Sequence, residues 1–329
     1  MKILCSISTK NRYETYLPLA IMSVASQTRR PDKLIIYDDN DKPIDLRTVP
    51  IYRQLFSVLD DKKIEWGVVF GDKKGQSHNH QRANMEGFDA VWRIDDDCFA
   101  EPDVLEKLEK QLKDGVGAVG SSILTPPVYY DYVDSSNSIY QLDKPNKQWF
   151  IIKETEEVDH LHCSFLYRAG IVSYDLRLSK KCHREETMFS YSLKLKGYKI
   201  IITPGITWHF KSETGGIRSD NNNTDYEHDE KIFRDWLFFQ ETGKKLYVLN
   251  CGVGDNYMFL QTIELPKNAV VATCYPWVYE GMGVETISIA DAKQVCDIDK
   301  YDIYKWCIDN KWKGTLIEAY KKLYENINS

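Results

Sequence analysis

Apolar residues along the chain fall into short continuous runs separated by longer amphipathic stretches, the pattern of buried parallel strands alternating with helices. Ile3-Leu4-Cys5-Ser6-Ile7-Ser8 reads as a first strand. Leu17, Ile21, Val24 and Ala25 then recur at helical spacing within Tyr16 to Ala25, and the turn Arg29-Arg30-Pro31-Asp32 ends that helix. Leu34-Ile35-Ile36-Tyr37 is a second strand, running straight into Asp38-Asp39-Asn40-Asp41. Ile64 to Phe70 predicts a strand, and Gln76 to Phe88 a helix entered through Gly75. Ala90-Val91-Trp92-Arg93-Ile94 is a strand that again ends on acid, at Asp95-Asp96-Asp97. Glu101-Pro102 opens a helix with Val104, Leu105, Leu108 and Leu112 on one face, proline being tolerated in a first turn. The alternation predicts an α/β fold with a mostly parallel sheet flanked by helices. Ligands of such sheets bind beyond the carboxyl ends of the strands, and two strands here deliver carboxylates to that edge.

The middle of the chain is less regular. Gly117 to Gly120 predicts another strand, and Tyr129-Tyr130-Asp131-Tyr132 and Tyr140 follow among prolines, serines and asparagines. Val158 to Tyr167 alternates as a strand does, Arg184 to Lys196 is helical, and Tyr198 to Thr203 is a strand. Pro204-Gly205 then predicts a turn into Thr207-Trp208-His209. The polar stretch 211–229 predicts a mobile loop, and Phe233 to Phe239 a helix. After Gly243-Lys244-Lys245 the pattern restarts with strands at Leu246–Asn250, Ala269–Thr273 and Thr286–Ile289 and a helical tail, Ile303–Ile327. Two domains are expected: residues 1–240, and a small α/β accessory unit over 244–329.

Composition narrows the functional classes. A chain of 329 residues with 43% hydrophobic and 28% charged residues has the usage of a soluble globular protein. The formal net charge of −6 gives no general electrostatic footprint for nucleic acid or an anionic membrane. The Met1-Lys2-Ile3-Leu4-Cys5 start is too short an apolar stretch for a secretory signal, and no window reaches the roughly 18 apolar residues of a spanning helix. Eight scattered cysteines without a CxxC pair read as buried free thiols of a cytoplasmic protein rather than as disulfides or a zinc site.

Chemistry concentrates at the acidic strand ends. Three adjacent carboxylates, Asp95-Asp96-Asp97, repel one another unless a cation is present. Hard oxygen ligands suit Mg²⁺ or Mn²⁺, which share their coordination with substrate phosphates. A solvated acidic turn is the plain alternative. Asp38-Asp39-Asn40-Asp41 is placed to bond a ribose or base, or is an Asx-rich turn. Read alone, Glu185-Glu186 at a helix start is a favourable dipole partner and His209 an edge residue.

Taken together, in order and spacing, these segments resemble family 2 glycosyltransferases of the GT-A fold over about residues 3–210. The resemblance is carried by Ile3 to Thr9 with Asn11-Arg12, then by Leu34 to Asp39, and by Gly75 through Arg82, Asn84 and Gly87 leading into Trp92 to Asp97. Glu185-Glu186-Thr187, Gly197 to Ile200, Pro204 and Trp208-His209 complete it. It implies a nucleotide-diphospho-sugar transferase with Thr9, Asn11, Arg12, Asp38, Asp39, Arg82, Asp95 and Asp96 around the donor. It further implies Mn²⁺ or Mg²⁺ on Asp95, Asp97 and His209, the outer acids of a DxD motif plus a histidine. Glu186, with Glu185 beside it, falls where the family carries its catalytic base.

The reaction so implied is inverting transfer from a nucleotide sugar, UDP-sugar by family precedent, to an acceptor hydroxyl. The acceptor class stays open between a glycan, a lipid-linked sugar, a protein and a modified nucleic-acid base. Two rivals remain. A nucleotidyltransferase shares the layout but wants a glycine-rich phosphate loop where this chain has Ser8-Thr9-Lys10-Asn11-Arg12. A non-catalytic sugar-nucleotide or glycan-binding protein would use the same pocket. In the C-terminal unit, Gly252-Val253-Gly254-Asp255 weakly resembles the glycine-rich turn of a heptosyltransferase-like (GT-B) domain. That unit is expected to dock, to form a homo-oligomer or to help hold the acceptor, with Tyr275, Trp277 and Tyr279 as packing or stacking aromatics.

Overall fold

Alternate residues of the first strand face opposite sides of a sheet and are buried on both, so helices cover both faces. Ile3, Cys5 and Ile7 pack with Leu17, Ile21 and Val24, while Leu4 joins Tyr37, Val91, Phe189 and Leu193 on the other side. Each fully buried aliphatic side chain of these two layers contributes about 1.5–3 kcal/mol over exposure. The computed structural model describes residues 1–42, 44–126, 134–211, 215–216, 223–295 and 303–328. The chain divides into two compact units, Met1–Asp229 and Glu230–Ser329.

In the first unit the order is β1 (Ile3–Thr9), α1 (Leu17–Ala25), β2 (Lys33–Asp38), α2 (Pro50–Asp61), β3 (Glu65–Phe70), α3 (Gln76–Asn84) and β4 (Ala90–Ile94). There follow β5 (Cys98–Ala100), α4 (Val104–Gln111), β6 (Val116–Leu124), β7 (Glu156–Glu157), β8 (Ser164–Arg168), α5 (Glu185–Leu195) and β9 (Lys199–His209). The strands form one sheet in the order β3-β2-β1-β4-β8-β6-β9-β5, with β7 added beside β9. Strands β1 to β4 are mutually parallel, β6 runs parallel to β9, and β8 runs against both β4 and β6. The fold is α/β with a mostly parallel sheet, as the alternation predicts.

The division between units falls within α6 (Asn223–Thr242). In the second unit, β10 (Lys245–Leu249), α7 (Val253–Thr262), β11 (Ala269–Thr273), β12 (Glu285–Ile287), α8 (Ile289–Val295), α9 (Ile303–Asp309) and α10 (Leu316–Asn328) follow. Its three strands are parallel, in the order β10-β11-β12.

Several elements depart from the sequence reading. The helix Pro50–Asp61 has no counterpart there; Tyr52, Leu55, Phe56 and Leu59 are its buried face. Pro204-Gly205 does not turn the chain. Strand β9 runs through it beside a register shift at Ser121/Ser122, where a missing ladder donor is tolerated. Val158 to Tyr167 is not one strand, because Cys163 takes a left-handed φ of 44° and β8 starts only at Ser164. The stretch 211–229 is helical from Asn223, and 212–214 and 217–222 lie outside the described residues. The tail is two helices broken near Lys311, at φ 49°. Tyr129 to Tyr132 and Cys296 also lie outside the described residues. Among those that are described, no helix is long and apolar enough to cross a membrane.

Candidate active site

Parallel pairing in register sets Thr9 beside Asp38 and Ser6 beside Arg93, so β1, β2 and β4 release their chains at one edge. After β4 the backbone turns at once, with Cys98 N–H donating to Asp95 O at 3.1 Å. The short strand β5 then pairs antiparallel with β9, Cys98 opposite His209. That pairing carries His209, over a hundred residues away in sequence, to Asp97: Nε2 lies 3.3 Å from Oδ1. A cleft of about 410 Å³ opens here, lined among others by Thr9, Arg12, Asp39, Asp95, Asp96, Asp97, Glu186 and His209.

The three aspartates differ in their surroundings. Asp96 accepts from Thr9 Oγ1 at 2.7 Å and from Arg12 Nη1 at 2.5 Å, and the same Arg12 nitrogen lies 3.0 Å from Asp97 Oδ2. Asp95 faces Arg93 Nη2 at 3.0 Å. Burial pushes Asp96 up to about 6 against the pull of Arg12, and burial likewise raises Asp95 despite Arg93. Carboxylates packed this closely repel one another when ionised, which favours either protonation or a nearby cation.

Ligand atoms of Asp95, Cys163 and His209 lie within 4.8 Å of one another, as do those of Asp97, Cys98 and His209. Burial pushes the Cys98 thiol up to about 12, and Cys163 is raised by its hydrogen bond with Cys98 and then by burial; thiols are in any case soft donors that Mn²⁺ and Mg²⁺ do not favour. His209 is common to both sets, with Asp95 in one and Asp97 in the other, and their carboxylate oxygens are donors that suit Mn²⁺ or Mg²⁺.

Strand β8 and helix α5 supply the opposite wall. Arg184 caps α5 in the left-handed region at φ 67°, and the helix begins with two glutamates of opposite fate. Glu185 is buried, held by Arg93 Nη1 at 2.6 Å and by Gln76 Nε2 at 2.8 Å. Glu186 lines the cleft: its Oε1 accepts from Cys163 N–H at 2.6 Å and faces Arg93 Nη2 at 3.1 Å, and its Oε2 lies 3.7 Å from His162 Nδ1. Burial pushes Glu185 up to about 7. For Glu186 burial pulls the same way, but Arg93, His162 and the Cys163 N–H overcome it and hold the carboxyl well below the usual glutamate range. Of the two, only Glu186 lines the cleft.

The structure brings together Thr9, Arg12, Asp39, the three aspartates, Glu186 and His209. Asp39 accepts from Asn79 Nδ2 at 3.0 Å and Lys73 N–H at 3.2 Å. Three other expected donor contacts stand apart from the cleft lining. Asp38 is buried, bonded to Asn40 N–H at 2.8 Å. Asn11, at φ 57°, bonds Asn40 and Asp41. Arg82 is exposed and lies over the Tyr37 ring at 5.7 Å.

Several lining or supporting residues had no role in the sequence reading. Trp149 sits 5.5 Å from His162 and 5.7 Å from His209 by ring centroids, and Lys211 Nζ lies 5.7 Å from its ring. Gln76 and His162 also line the cleft, and Arg93 lies buried behind it. Only Arg93 carried a signal, as a charge inside an otherwise apolar strand.

Gly71 supports Asp39 by its smallness: a Cβ there would fall on Asp39 Oδ1 and meet Asn79 Oδ1 at 3.1 Å. Gly71→Ala is therefore expected to displace Asp39. We expect a loss of about 1–3 kcal/mol in urea unfolding, as overpacking costs, together with weaker nucleotide binding. Unchanged nucleotide affinity would show that Asp39 makes no donor contact.

In the second unit the Gly252 turn is closed by its own chain. Asp255 Oδ2 accepts from Gly252 N–H at 2.9 Å, and Tyr320 donates to the other Asp255 oxygen. Trp277 is exposed with Tyr257 and Tyr275 set edge-on to it, whereas Tyr279 packs inside and bonds Asn256 Oδ1 at 3.0 Å.

Residues 5–174 match the model of glycosyl transferase family 2, more than half of the 329-residue chain. The chain belongs to glycosyl transferase family 2. No curated protein matches it. Among solved structures, GalNAc-T7 with UDP, GalNAc and Mn²⁺ superposes with a TM-score of 0.53 at 12% identity, covering 74% of this chain and 49% of that one. TarS 1-349 of S. aureus in complex with UDP-GlcNAc gives 0.49 at 16% identity, covering 71% and 66%. The longer S. aureus TarS structure gives 0.48 at 15% identity, and this chain spans 39% of its length. The α/β sheet of this family 2 domain is thus of the GT-A kind.

Proposed function

We propose that this family 2 protein transfers a sugar from a nucleoside-diphosphate sugar to an acceptor hydroxyl with inversion, Glu186 serving as base. One observation carries the reading: the Glu186 carboxylate lines the same cleft as Asp95, Asp97 and His209. Single displacement at an anomeric carbon needs both parts, a proton acceptor on the side of attack and charge neutralisation at the departing diphosphate.

Asp95, Asp97 and His209 would hold Mn²⁺ or Mg²⁺, whose contribution is to neutralise the charge that develops on the leaving diphosphate. Asp39 and Thr9 lie where a ribose and base would dock beyond β1 and β2. Asp96 plays a different part, its oxygens engaged by Thr9 and Arg12, so it anchors the Arg12 guanidinium at the phosphate side. Glu186 accepts the acceptor's hydroxyl proton, and Trp149 and His162 wall the acceptor side and exclude water. UDP, the nucleotide in the GalNAc-T7 structure, is the leading donor carrier.

The test is product analysis. Purified protein incubated with Mn²⁺ and a panel of nucleotide sugars is expected to release nucleoside diphosphate, and chelation by EDTA to stop it. Release of pyrophosphate would move the protein to the nucleotidyltransferases, and activity indifferent to EDTA would remove the metal from the scheme.

A further inference from the structure

Arg93 is a cation in the middle of the sheet, on β4, with no exposed surface. Its neighbours along the strand are apolar, and Phe165 lies across its guanidinium at 5.3 Å from the ring centroid. Burying an unpaired guanidinium is costly, so its partners define what it does. Nη1 meets Glu185 at 2.6 Å, while Nη2 lies between Asp95 Oδ1 at 3.0 Å and Glu186 Oε1 at 3.1 Å. Asp95 belongs to the loop after β4 and Glu186 to the first turn of α5, so a single nitrogen joins the two walls of the cleft.

We propose that Arg93 is a positioning residue that fixes the spacing between the base Glu186 and the metal-side carboxylate Asp95. This rests on the transferase reading above, in which those two carboxylates serve opposite ends of the bond being exchanged. Glu185 and Gln76 complete the device. Glu185 holds the guanidinium from behind, and Gln76 Nε2, from the first residue of α3, holds Glu185. The planar fork explains why an arginine stands there: it reaches three carboxylates in fixed directions, which a lysine's single nitrogen does not. Arg93 touches no substrate; it decides where two groups that do are standing.

Arg93→Met alone would leave Glu185 buried without its charge partner and risks misfolding. The decisive variant is therefore the double replacement Arg93→Met with Glu185→Gln, which removes the buried pair together, with Arg93→Lys as the conservative comparison. Thermal melts establish folding, and calorimetry with UDP and Mn²⁺ reports the donor side without turnover. The double variant is expected to fold and to bind UDP within about threefold of the parent, while kcat falls by about 100-fold at little-changed donor KM, the cost of an ångström-scale misplacement. Arg93→Lys should recover part of that loss. A folded double variant with kcat near the parent's would overturn the positioning role, as would a loss appearing only in donor KM and UDP affinity. No turnover in the parent on any nucleotide sugar is a separate result, which overturns the transferase reading and the proposal resting on it.

Discussion

Glu186→Gln is expected to lower kcat by about 10³-fold while leaving donor KM and thermal stability close to those of the parent, since general-base catalysis contributes roughly 10²–10⁴. The amide keeps the carbonyl oxygen that accepts from Cys163 N–H, so the β8–α5 corner retains its bond. Arg93 retains Glu185 and Asp95, so no buried cation is stranded. What disappears is proton-accepting capacity, together with the charge that faces Arg93 Nη2 at 3.1 Å. The neighbouring variant provides the contrast. Glu185→Ala removes the nearest partner of a fully buried guanidinium, a change that typically costs about 3–5 kcal/mol, so its main effect should be a lower midpoint in chemical unfolding. Rates and unfolding curves measured side by side separate the two glutamates. If Glu186→Gln turns over within a few-fold of the parent, the base lies elsewhere, and His162, the nearest titratable ring to that carboxylate, becomes the residue to replace.

Adjacent in sequence, those two residues diverge because of what the fold places around each, and this marks the limit of what the sequence shows. Strand ends were legible because their chemistry is local: an apolar run that stops on acid announces both a buried strand and a carboxylate at its end. Ala90–Ile94 and Ala269–Thr273 fall where the pattern puts them. The distant partners of those ends were not legible in the residue pattern, and His209 was named beside Asp95 and Asp97 only through the family resemblance. His209 reaches Asp97 only because β5, three residues long, pairs with β9, and no periodicity marks so short a strand. Trp149 enters the cleft from a single 3-10 turn, Lys147–Trp149, and His162 from an irregular segment, with no spacing rule to betray either. Pro204-Gly205 misled for the opposite reason, since turn-forming residues are also what a bulged strand tolerates. Arg93 was visible as a charge in an apolar strand, but its two glutamate partners sit on α5, nearly a hundred residues on.

Asp97→Ala carries the other large expected effect, and it acts on the opposite side of the cleft. A divalent cation acting as Lewis acid is worth several kcal/mol of transition-state stabilisation, and each 1.4 kcal/mol is about tenfold in rate. Loss of one of its two proposed carboxylate ligands should therefore cost at least about 10³-fold in kcat. Stability should respond differently. Asp97 is nearly fully buried beside Asp95 and Asp96, and burial pushes both of those carboxyls up. Removing one charge from such a cluster relieves like-charge repulsion, and Arg12 keeps Asp96 at 2.5 Å. In metal-free buffer the variant should consequently melt no lower than the parent, within a few degrees, a trade of function against stability common at sites that concentrate like charge. Added Mn²⁺ should raise the parent's melting temperature, because a ligand bound only by the native state stabilises it, and should leave the variant's unmoved. Retained activity with a retained Mn²⁺ shift would remove Asp97 from the metal site. A variant that melts far below the parent without metal would instead make the aspartate a structural residue, its ties to Arg12 and His209 outweighing the repulsion of its neighbours.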